Sequence, residues 1–310
     1  MGIGTSHSPQ VSTAWSHWPN MRKTEEVSPA VPADLDAQLQ PQMLEQRFAQ
    51  VQDAVASLSR VLQETADLDA IIIFGDDQHE QFGDGNMPAI AVYHGEVCDV
   101  LEPRRATIPW TGPADQRHQI SALMEATRPA YPGAAAFAQH IVESLTEQDF
   151  DISRCDRLNE KGLGHAFSFL YQRLWPACTV PIVPIMLNTY YPPNQPTPRR
   201  SYALGRAVRE AVATWGGGKR VAVIASGGLS HIVLDEPLDW QILAGLQDRD
   251  SDKLIAIPRE KLRGGTSEIL NWVALGGAVD SMKMTLLDYI PGYRSHPSTG
   301  CGMAFAQWTL

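Results

Sequence analysis

Three histidines lie beside glycines, in positions where a ring nitrogen could bind a metal or move a proton. They are His7 in Gly4-Thr-Ser-His-Ser-Pro9, His165 in Gly162-Leu-Gly-His-Ala-Phe167, and His231 in Ser226-Gly-Gly-Leu-Ser-His231. Glycine lets a ligand approach the backbone closely and permits dihedral angles that aim a neighbouring side chain. Each motif alone is typical of a structural histidine, but the three together favour a metal or acid–base site.

Carboxylates in two further segments could complete such a site. The run Gly75-Asp-Asp-Gln-His-Glu80 follows a continuous apolar stretch, and Glu268 lies near the start of Ser267-Glu-Ile-Leu-Asn-Trp272. A carboxylate in the first turn of a helix also interacts favourably with the helix dipole, so Glu268 by itself has a purely structural explanation. Two imidazoles and one carboxylate on one face of a metal leave positions open for a substrate and for dioxygen. We therefore predict a mononuclear site of histidine and carboxylate.

Sequence motifs of several other enzyme classes are absent. The chain contains no GxxxxGK[ST] phosphate loop, no GxGxxG after a predicted strand and no HExxH. Ser226-Gly-Gly-Leu-Ser230 differs from the GxSxG turn of hydrolases because no serine stands between glycines at that spacing. These absences leave the histidine and carboxylate site as the best supported chemistry.

Buried strands are predicted immediately before the polar segments. The apolar runs 70–74, 180–187 and 220–225 are typical of strands covered on both faces, and a short strand precedes His7. Helices are predicted over 43–65, 133–148, 200–215 and 267–287. This alternation predicts an α/β fold with a central, largely parallel or mixed sheet covered by helices on both faces. In such sheets, ligands bind beyond the carboxyl ends of the strands.

Length and composition predict one catalytic domain over 1–310, with long excursions at about 8–42 and 93–128. The chain has 310 residues, 44% of them hydrophobic, and a formal net charge of −10. The acidic balance argues against a nucleic-acid partner, and no apolar run approaches the roughly 18 residues of a membrane span. The N-terminus lacks the pattern of a signal peptide, and the four cysteines lie far apart. We expect a cytoplasmic enzyme with reduced thiols.

Taken together, the motifs resemble those of the class III extradiol ring-cleavage dioxygenases, the superfamily of the protocatechuate 4,5-dioxygenase β subunit. The resemblance extends over nearly the whole chain, and its most specific part is Ser226-Gly-Gly-Leu-Ser-His231. The long segment before the first helix and Asn188-Thr-Tyr-Tyr-Pro-Pro-Asn-Gln-Pro196 look closest to the branch that acts on gallate and 3-O-methylgallate.

The resemblance implies an Fe(II)-dependent enzyme that opens the ring of a catechol-type aromatic with both atoms of O2. The family binds one iron through two histidines and one glutamate, which makes His7 the first histidine and Glu268 the carboxylate. His231 matches the family's catalytic base, and His165 matches a histidine that lines the substrate pocket. A small aromatic diol and O2 are the implied partners. We expect a homo-oligomer, and a small second subunit, which some relatives need, is an open alternative.

The second histidine ligand is where this chain departs from the family pattern. The family's ligand is the histidine of an Asp-His pair after the strand, whereas this turn reads Asp77-Gln78-His79. An alignment without a gap keeps Phe82 in register and puts Gln78 at the ligand position. A bulge in the turn would instead bring His79 to the metal. We predict His79 as the ligand and keep Gln78 as the alternative.

Arg199 and Arg200 are the predicted partners of a substrate carboxylate, because an anionic substrate needs local positive charge on an acidic protein. The alternative is that both are solvated residues at a helix start.

Two other functions are consistent with the sequence. Gln78 at the ligand position leaves open a metal-dependent hydrolase or isomerase on the same scaffold. A non-catalytic subunit of a dioxygenase complex is the second alternative. Retention of His7, His165, His231 and Glu268 argues against it, because an inactive subunit has no physical need for all four.

Overall fold

The computed structural model describes residues 1–21, 31–65, 67–100, 130–160, 162–296 and 298–310. Its strands are β1 Gly2–Thr5, β2 Ala70–Asp76, β3 Ile90–Tyr93, β4 Val97–Asp99, β5 Ala130–Pro132, β6 Ser153–Cys155, β7 Ile182–Leu187, β8 Val221–Ser226, β9 His231–Val233, β10 Lys283–Ser295 and β11 Thr299–Thr309.

Within the described residues the α-helices are α1 Pro9–Ser12, α2 Leu35–Gln38, α3 Pro41–Glu64, α4 Ala135–Glu147, α5 His165–Phe169, α6 Pro198–Thr214, α7 Glu236–Asp248, α8 Ser251–Ile255 and α9 Ile269–Ala278. Short 3-10 turns occupy Trp15–Asn20, Arg259–Lys261 and Gly264–Glu268, and a π-helical turn occupies Leu170–Leu174. Among the described helices, none combines the length and the apolar character that crossing a membrane requires.

One mixed sheet forms the centre of the molecule, with strand order β10-β11-β1-β8-β2-β7-β3-β6 and β9 beside β11. The four consecutive strands β1, β8, β2 and β7 run parallel. Strands β10, β11 and β9 pair in antiparallel fashion, as do β3 and β7. Strands β4 and β5 form a separate ribbon. The predicted α/β fold with a largely parallel or mixed sheet is confirmed.

Helices cover both faces of this sheet. Successive side chains of a strand point to opposite faces, and in β2 the residues Ile72 and Phe74 belong to one buried cluster while Ile71 and Ile73 belong to another. The first cluster contains side chains of α4, α6 and α9, and the second contains side chains of α3 and α5. Burial on both faces explains why β2 is continuously apolar.

Three of the four predicted helices are confirmed as α3, α4 and α6. The fourth prediction, a helix over 267–287, is wrong in its second half, because α9 ends at Ala278 and β10 begins at Lys283. Leucine and methionine in this segment suit either element. Pairing with β11, which lies further along the chain, makes the segment a strand.

The first predicted excursion, 8–42, holds more structure than a loop. It contains α1, the turn Trp15–Asn20 and α2, and the side chains of Val11 and Trp18 are fully buried. Residues 22–30 of this excursion, and 101–128 of the second excursion, lie outside the described residues.

The parallel strands end along one edge of the sheet, where the polar segments begin. Strand β1 ends at Thr5, β2 at Asp76, β7 at Leu187 and β8 at Ser226. Each is followed within a few residues by a side chain singled out above or by a polar loop. This edge is where an open α/β sheet binds ligands.

Candidate metal centre

Glu268 lies at the centre of the polar cluster at this edge. Its side chain is 2% exposed, and its Oε1 accepts hydrogen bonds from the Tyr190 hydroxyl at 2.9 Å and from Gln78 Nε2 at 3.2 Å. Its Oε2 accepts from the backbone N–H of Gly228 at 2.9 Å and lies 3.4 Å from Nε2 of both His7 and His231. Burial raises the pKa of Glu268, but His231 and His7 outweigh it and hold that pKa well below its usual range. The carboxylate is therefore ionised.

His7 directs one ring nitrogen to this carboxylate. Its Nδ1 forms a 2.9 Å hydrogen bond with Ser226 Oγ on the neighbouring strand β8, which orients the ring. Its Nε2 lies 3.4 Å from Glu268 Oε2 and 4.0 Å from Asp76 Oδ1. Among the described residues, neither His7 Nε2 nor Asp76 Oδ1 has a hydrogen-bond partner, although both atoms are buried.

These two atoms show that the cluster fits a metal ion. A buried polar atom without a partner is destabilising, and a cation between an imidazole nitrogen and a carboxylate oxygen would satisfy both. Metal–ligand bonds of about 2.0–2.2 Å put two ligands of one ion about 3–4 Å apart, which matches the distances from His7 Nε2. His7, Asp76 and His165 also form a group whose ligand atoms all lie within 4.8 Å of one another.

His165 belongs to the same cluster and is held by a carboxylate that was not predicted as a site residue. Glu80 Oε2 lies 2.9 Å from His165 Nδ1, and Glu80 Oε1 accepts from the backbone N–H of His165 at 3.0 Å. The ring of His165 meets that of His7 edge to face, with centroids 4.5 Å apart. A Cβ atom at Gly164 would lie 2.7 Å from Glu80 Oε2, so the glycine before His165 makes room for this carboxylate.

His231 begins β9 and lies near Oε2 of Glu268, whereas Gln78 bonds to Oε1. Its Nδ1 bonds to the Leu229 carbonyl at 2.9 Å, which leaves Nε2 facing Glu268. A Cβ atom at Gly228 or Gly265 would come within 2.3 Å or 2.5 Å of the His231 side chain, so both glycines are needed for its close packing. Burial lowers the pKa of His231, but Cys301, Glu268 and the Leu229 carbonyl together raise it to about 10.

Gln78, and not His79, lies in the cluster. Gln78 Nε2 donates to Asp76 Oδ2 at 2.8 Å as well as to Glu268. His79 has φ +57°, its ring stacks on Tyr191 with centroids 3.7 Å apart, and its Nε2 lies 3.2 Å from Asp84 Oδ1. The structure therefore does not bring His79 together with His7 and Glu268. The physical reason is that the chain continues beyond β2 without the bulge that would have exchanged the faces of Gln78 and His79. The side chains of Asp76 and Gln78 therefore lie on the same side of the chain.

Among the described residues, no hydrogen bond or ion pair joins either predicted substrate-binding arginine to the cluster. Arg199 is exposed at the start of α6. The Arg200 guanidinium lies 3.8 Å from the centroid of the Phe150 ring and donates to the Asp149 carbonyl at 3.1 Å. Neither of these partners of Arg200 belongs to the metal centre.

Asp76, Glu80 and Tyr190 were not identified individually as site residues from the sequence, although Asp76 and Glu80 lie in the acidic run 75–80. The sequence does contain a signal for Asp76. It ends a buried strand, and because side chains of an extended chain alternate between faces, Asp76 and Gln78 are expected on the same side. Tyr190 lies in the run 188–196, but its hydrogen bond to Glu268 depends on a contact between residues 78 positions apart.

Residues 28–303 match the family described as the catalytic LigB subunit of aromatic ring-opening dioxygenase. Gallate dioxygenase from Pseudomonas putida is 37% identical over 166 residues, which cover 49% of this chain and 48% of that protein. A 2,3-dihydroxyphenylpropionate/2,3-dihydroxicinnamic acid 1,2-dioxygenase from Azotobacter vinelandii is 30% identical over 207 residues, which cover 66% of this chain and 55% of that protein. The chain thus spans about half the length of these curated relatives. The solved structure of an uncharacterized protein from Escherichia coli K12 is also similar, with 13% identity, a TM-score of 0.47, and coverage of 81% of this chain and 91% of that one.

Proposed function

This chain belongs to the family of the catalytic LigB subunit of aromatic ring-opening dioxygenases, and on that premise we propose that it is an extradiol dioxygenase. Its substrate would be a catechol-type aromatic of the protocatechuate, gallate or methylgallate class. The observation that carries the proposal is the buried cluster of His7, Glu268 and His231, in which His7 Nε2 has no hydrogen-bond partner among the described residues.

The proposed reaction is balanced without an external reductant. One ring C–C bond next to the diol breaks, and both atoms of O2 enter the product, so that the product has the composition of the substrate plus O2. Two electron pairs of the ring are oxidised and the four electrons reduce O2. The protein must therefore bind the diol, manage its protons and exclude bulk water.

We propose Fe(II) as the cofactor, with His7 and Glu268 among its ligands. Imidazole and carboxylate with open positions are the donor set of non-haem iron oxygenases. When bound, the iron would supply the Lewis acidity and the redox chemistry that let O2 react with an aromatic diol.

His231 is the proposed base. A diol hydroxyl beside Glu268 would be within reach of His231 Nε2, because this nitrogen lies 3.4 Å from Glu268 Oε2. The other ring nitrogen, Nδ1, is hydrogen-bonded to the Leu229 carbonyl, so Nε2 is the atom that can exchange a proton. The pKa of about 10 makes the ring cationic near neutral pH. Positive charge bound beside Glu268 would lower this pKa, because like charges repel, and a histidine whose pKa approaches neutrality can take and return a proton.

His165 is the proposed hydrogen-bond donor of the pocket. Glu80 holds both its Nδ1 and its backbone N–H, so the ring has one orientation and directs Nε2 away from Glu80. A protonated Nε2 in this position would stabilise negative charge that develops on the substrate or on the oxygen atoms.

Arg199 and Arg200 remain the proposed partners of a substrate carboxylate, and the contacts of Arg200 with Phe150 and Asp149 favour Arg199. We further propose one catalytic domain, a cytoplasmic location and a homo-oligomer, with a small second subunit as the open alternative.

The test is anaerobic reconstitution of the chain with Fe(II), followed by O2 consumption with catechol, protocatechuate, gallate and 3-O-methylgallate. We expect uptake with at least one diol and none with the matching monophenol. His7→Ala and Glu268→Ala should lose iron and uptake together, so full iron occupancy in either variant would contradict the assignment. Bound zinc without uptake for any diol would instead support a hydrolase or isomerase.

For Arg199→Gln, a KM raised for protocatechuate but not for catechol would support carboxylate binding.

A further inference from the structure

We propose that Asp76 supplies the third protein ligand of the metal, and that Gln78 is a positioning residue that holds Asp76 and Glu268 in place. The inference rests on the metal site of the proposed function. It replaces the expected histidine of the turn with a carboxylate from the strand, two residues earlier in the chain.

Asp76 has the position that a ligand of this metal requires. It is the last residue of β2, its side chain is fully buried, and its Oδ1 lies 4.0 Å from His7 Nε2. Both atoms lack a hydrogen-bond partner among the described residues. A Glu268 oxygen lies 3.4 Å from the same nitrogen. Each of these two separations from His7 Nε2 fits a pair of ligands on one ion, for which bonds of about 2.0–2.2 Å give ligand distances of about 3–4 Å.

Gln78 is held in a way that suits positioning and not ligation. Its amide nitrogen donates to Asp76 Oδ2 at 2.8 Å and to Glu268 Oε1 at 3.2 Å, so it bridges the outer oxygens of the two carboxylates. The inner oxygens, Asp76 Oδ1 and Glu268 Oε2, are thereby turned towards His7. An amide nitrogen carries no lone pair for a metal. Reversing the amide to offer its oxygen would break both hydrogen bonds and set that oxygen against two carboxylates.

The charge of the cluster also favours a divalent cation at this point. Two carboxylates buried within one site repel each other, and removing them from water is costly unless a cation pairs with them. In the part of the chain that the structure describes, no lysine or arginine forms a hydrogen bond or an ion pair with either carboxylate. One neutral imidazole and two carboxylates would neutralise an M²⁺ ion.

His79 and His165 differ from Asp76 in their surroundings. The His79 ring stacks on Tyr191 and its Nε2 lies beside Asp84. His165 belongs to the cluster, but Glu80 orients its ring through Nδ1 and the backbone N–H. The ligand atoms of His165, His7 and Asp76 lie within 4.8 Å of one another, so His165 is the competing candidate for the third ligand. We assign it to the substrate side of the metal, and its replacement should therefore leave metal affinity close to that of the wild type.

The test measures the affinity of the full chain for Mn(II), and then for Fe(II) under anaerobic conditions, by calorimetry and by the EPR signal of free Mn(II). Asp76→Asn should bind at least about 100-fold more weakly. Gln78→Ala should lose about 10- to 100-fold, as for residues that orient a metal ligand. His79→Ala is the matched control in the same turn and should bind like the wild type. The double variant Asp76→Asn, Gln78→His should recover affinity relative to Asp76→Asn.

Wild-type affinity in Asp76→Asn would overturn the inference. Loss of metal in His79→Ala would overturn it as well, and this variant changes a partly exposed side chain, so the test does not depend on the folding of Asp76→Asn. Circular dichroism checks the fold of each variant. The measurement uses no substrate. A chain that binds Mn(II) through Asp76 but consumes no O2 with any diol would contradict the proposed function and leave this inference standing.

Discussion

Each histidine of the cluster has its Nδ1 held by the protein, and Nε2 of both His7 and His231 lies 3.4 Å from Glu268 Oε2. Ser226 Oγ bonds to Nδ1 of His7, Glu80 to Nδ1 of His165, and the Leu229 carbonyl to Nδ1 of His231. A partner on one ring nitrogen fixes both the orientation of the ring and the state of the other nitrogen. At the scale of single residues, the chemistry is therefore set by the partners of Nδ1 as much as by the histidines.

Replacing His231 tests its role as the base. His231→Gln should keep the metal and lower kcat by a factor on the order of 10²–10⁴, the usual loss for a missing general base. Metal content, melting temperature and kcat are measured on one sample. If the histidine only ties the start of β9 to the Leu229 carbonyl, the melting temperature falls while turnover per folded molecule stays normal, and such a result would remove His231 from the mechanism.

Replacing Glu80 tests whether it acts through His165. Glu80→Gln removes the charge that holds His165 Nδ1 and should lower kcat/KM by about 10- to 100-fold with unchanged metal content. His165→Gln should have a similar effect. Because the two residues act as one unit, the double variant should be no worse than His165→Gln. Additive losses in the double variant would show that Glu80 does not act through this histidine.

The sequence carries enough information to predict that His7, His231 and Glu268 meet, since each lies in a motif at a strand or helix end. Which residue of the turn after β2 joins these three cannot be predicted in the same way. It depends on the conformation of residues 77–82, in which His79 takes a positive φ and Asp77 accepts hydrogen bonds from the backbone N–H groups of Gln81 and Phe82. A side-chain pattern does not encode such a turn, so the position of His79 outside the cluster could not be predicted from the sequence.

At the scale of elements, a buried carboxylate on α7 fixes the turn that precedes His231. Asp239 accepts from the backbone N–H and the hydroxyl of Ser230 at 2.8 Å and 2.7 Å. It also accepts from the Tyr289 hydroxyl of β10 at 2.7 Å. The side chain joins α7, β10 and the segment between β8 and β9. Burial raises the pKa of Asp239 to about 7, although the bonds from Ser230 and Tyr289 oppose the shift.

This raised pKa predicts a pH dependence of stability. Unfolded Asp titrates near 3.9, so between about pH 4 and pH 7 the unfolded chain has released a proton that the folded protein still holds. Rising pH therefore favours unfolding over this window. The free energy of unfolding of the wild type, relative to Asp239→Asn, should fall by up to about 4 kcal/mol from pH 4 to pH 7 and stay level above it. Urea denaturation of both proteins measures the difference, and a difference independent of pH would contradict the shift.

Elements with local signals were predicted better than elements that depend on distant partners. The buried runs that became β2, β7 and β8 and the apolar periodicity of α3 are visible in short windows of sequence. Strand β10 was predicted as the end of a helix because its pairing with β11 lies outside any local window. The close packing of α9 on α6 likewise depends on residues far apart in the sequence. A Cβ atom at Gly205 of α6 would lie 1.8 Å from the Ala274 carbonyl oxygen of α9, so glycine is required there.

At the scale of the whole molecule, the mixed sheet gathers residues that are far apart in sequence at one edge. His7 follows β1, Asp76 ends β2, His231 begins β9 and Glu268 precedes α9. The parallel arrangement of β1, β8, β2 and β7 is what brings the ends together. The homo-oligomer and the small second subunit stay predictions, which the mass of the native assembly in solution would test.

The most direct test of the central claim is the fate of O2 during a single reaction. The Fe(II)-loaded chain is mixed with one accepted diol and ¹⁸O2, and O2 consumption, peroxide and product mass are measured together. We predict one O2 consumed per ring opened, no peroxide, and a product heavier than the substrate by both labelled oxygen atoms, with allowance for exchange of a carbonyl oxygen with water. Consumption matched by peroxide with the ring intact, or no consumption by the iron-loaded protein with any diol, would contradict the account.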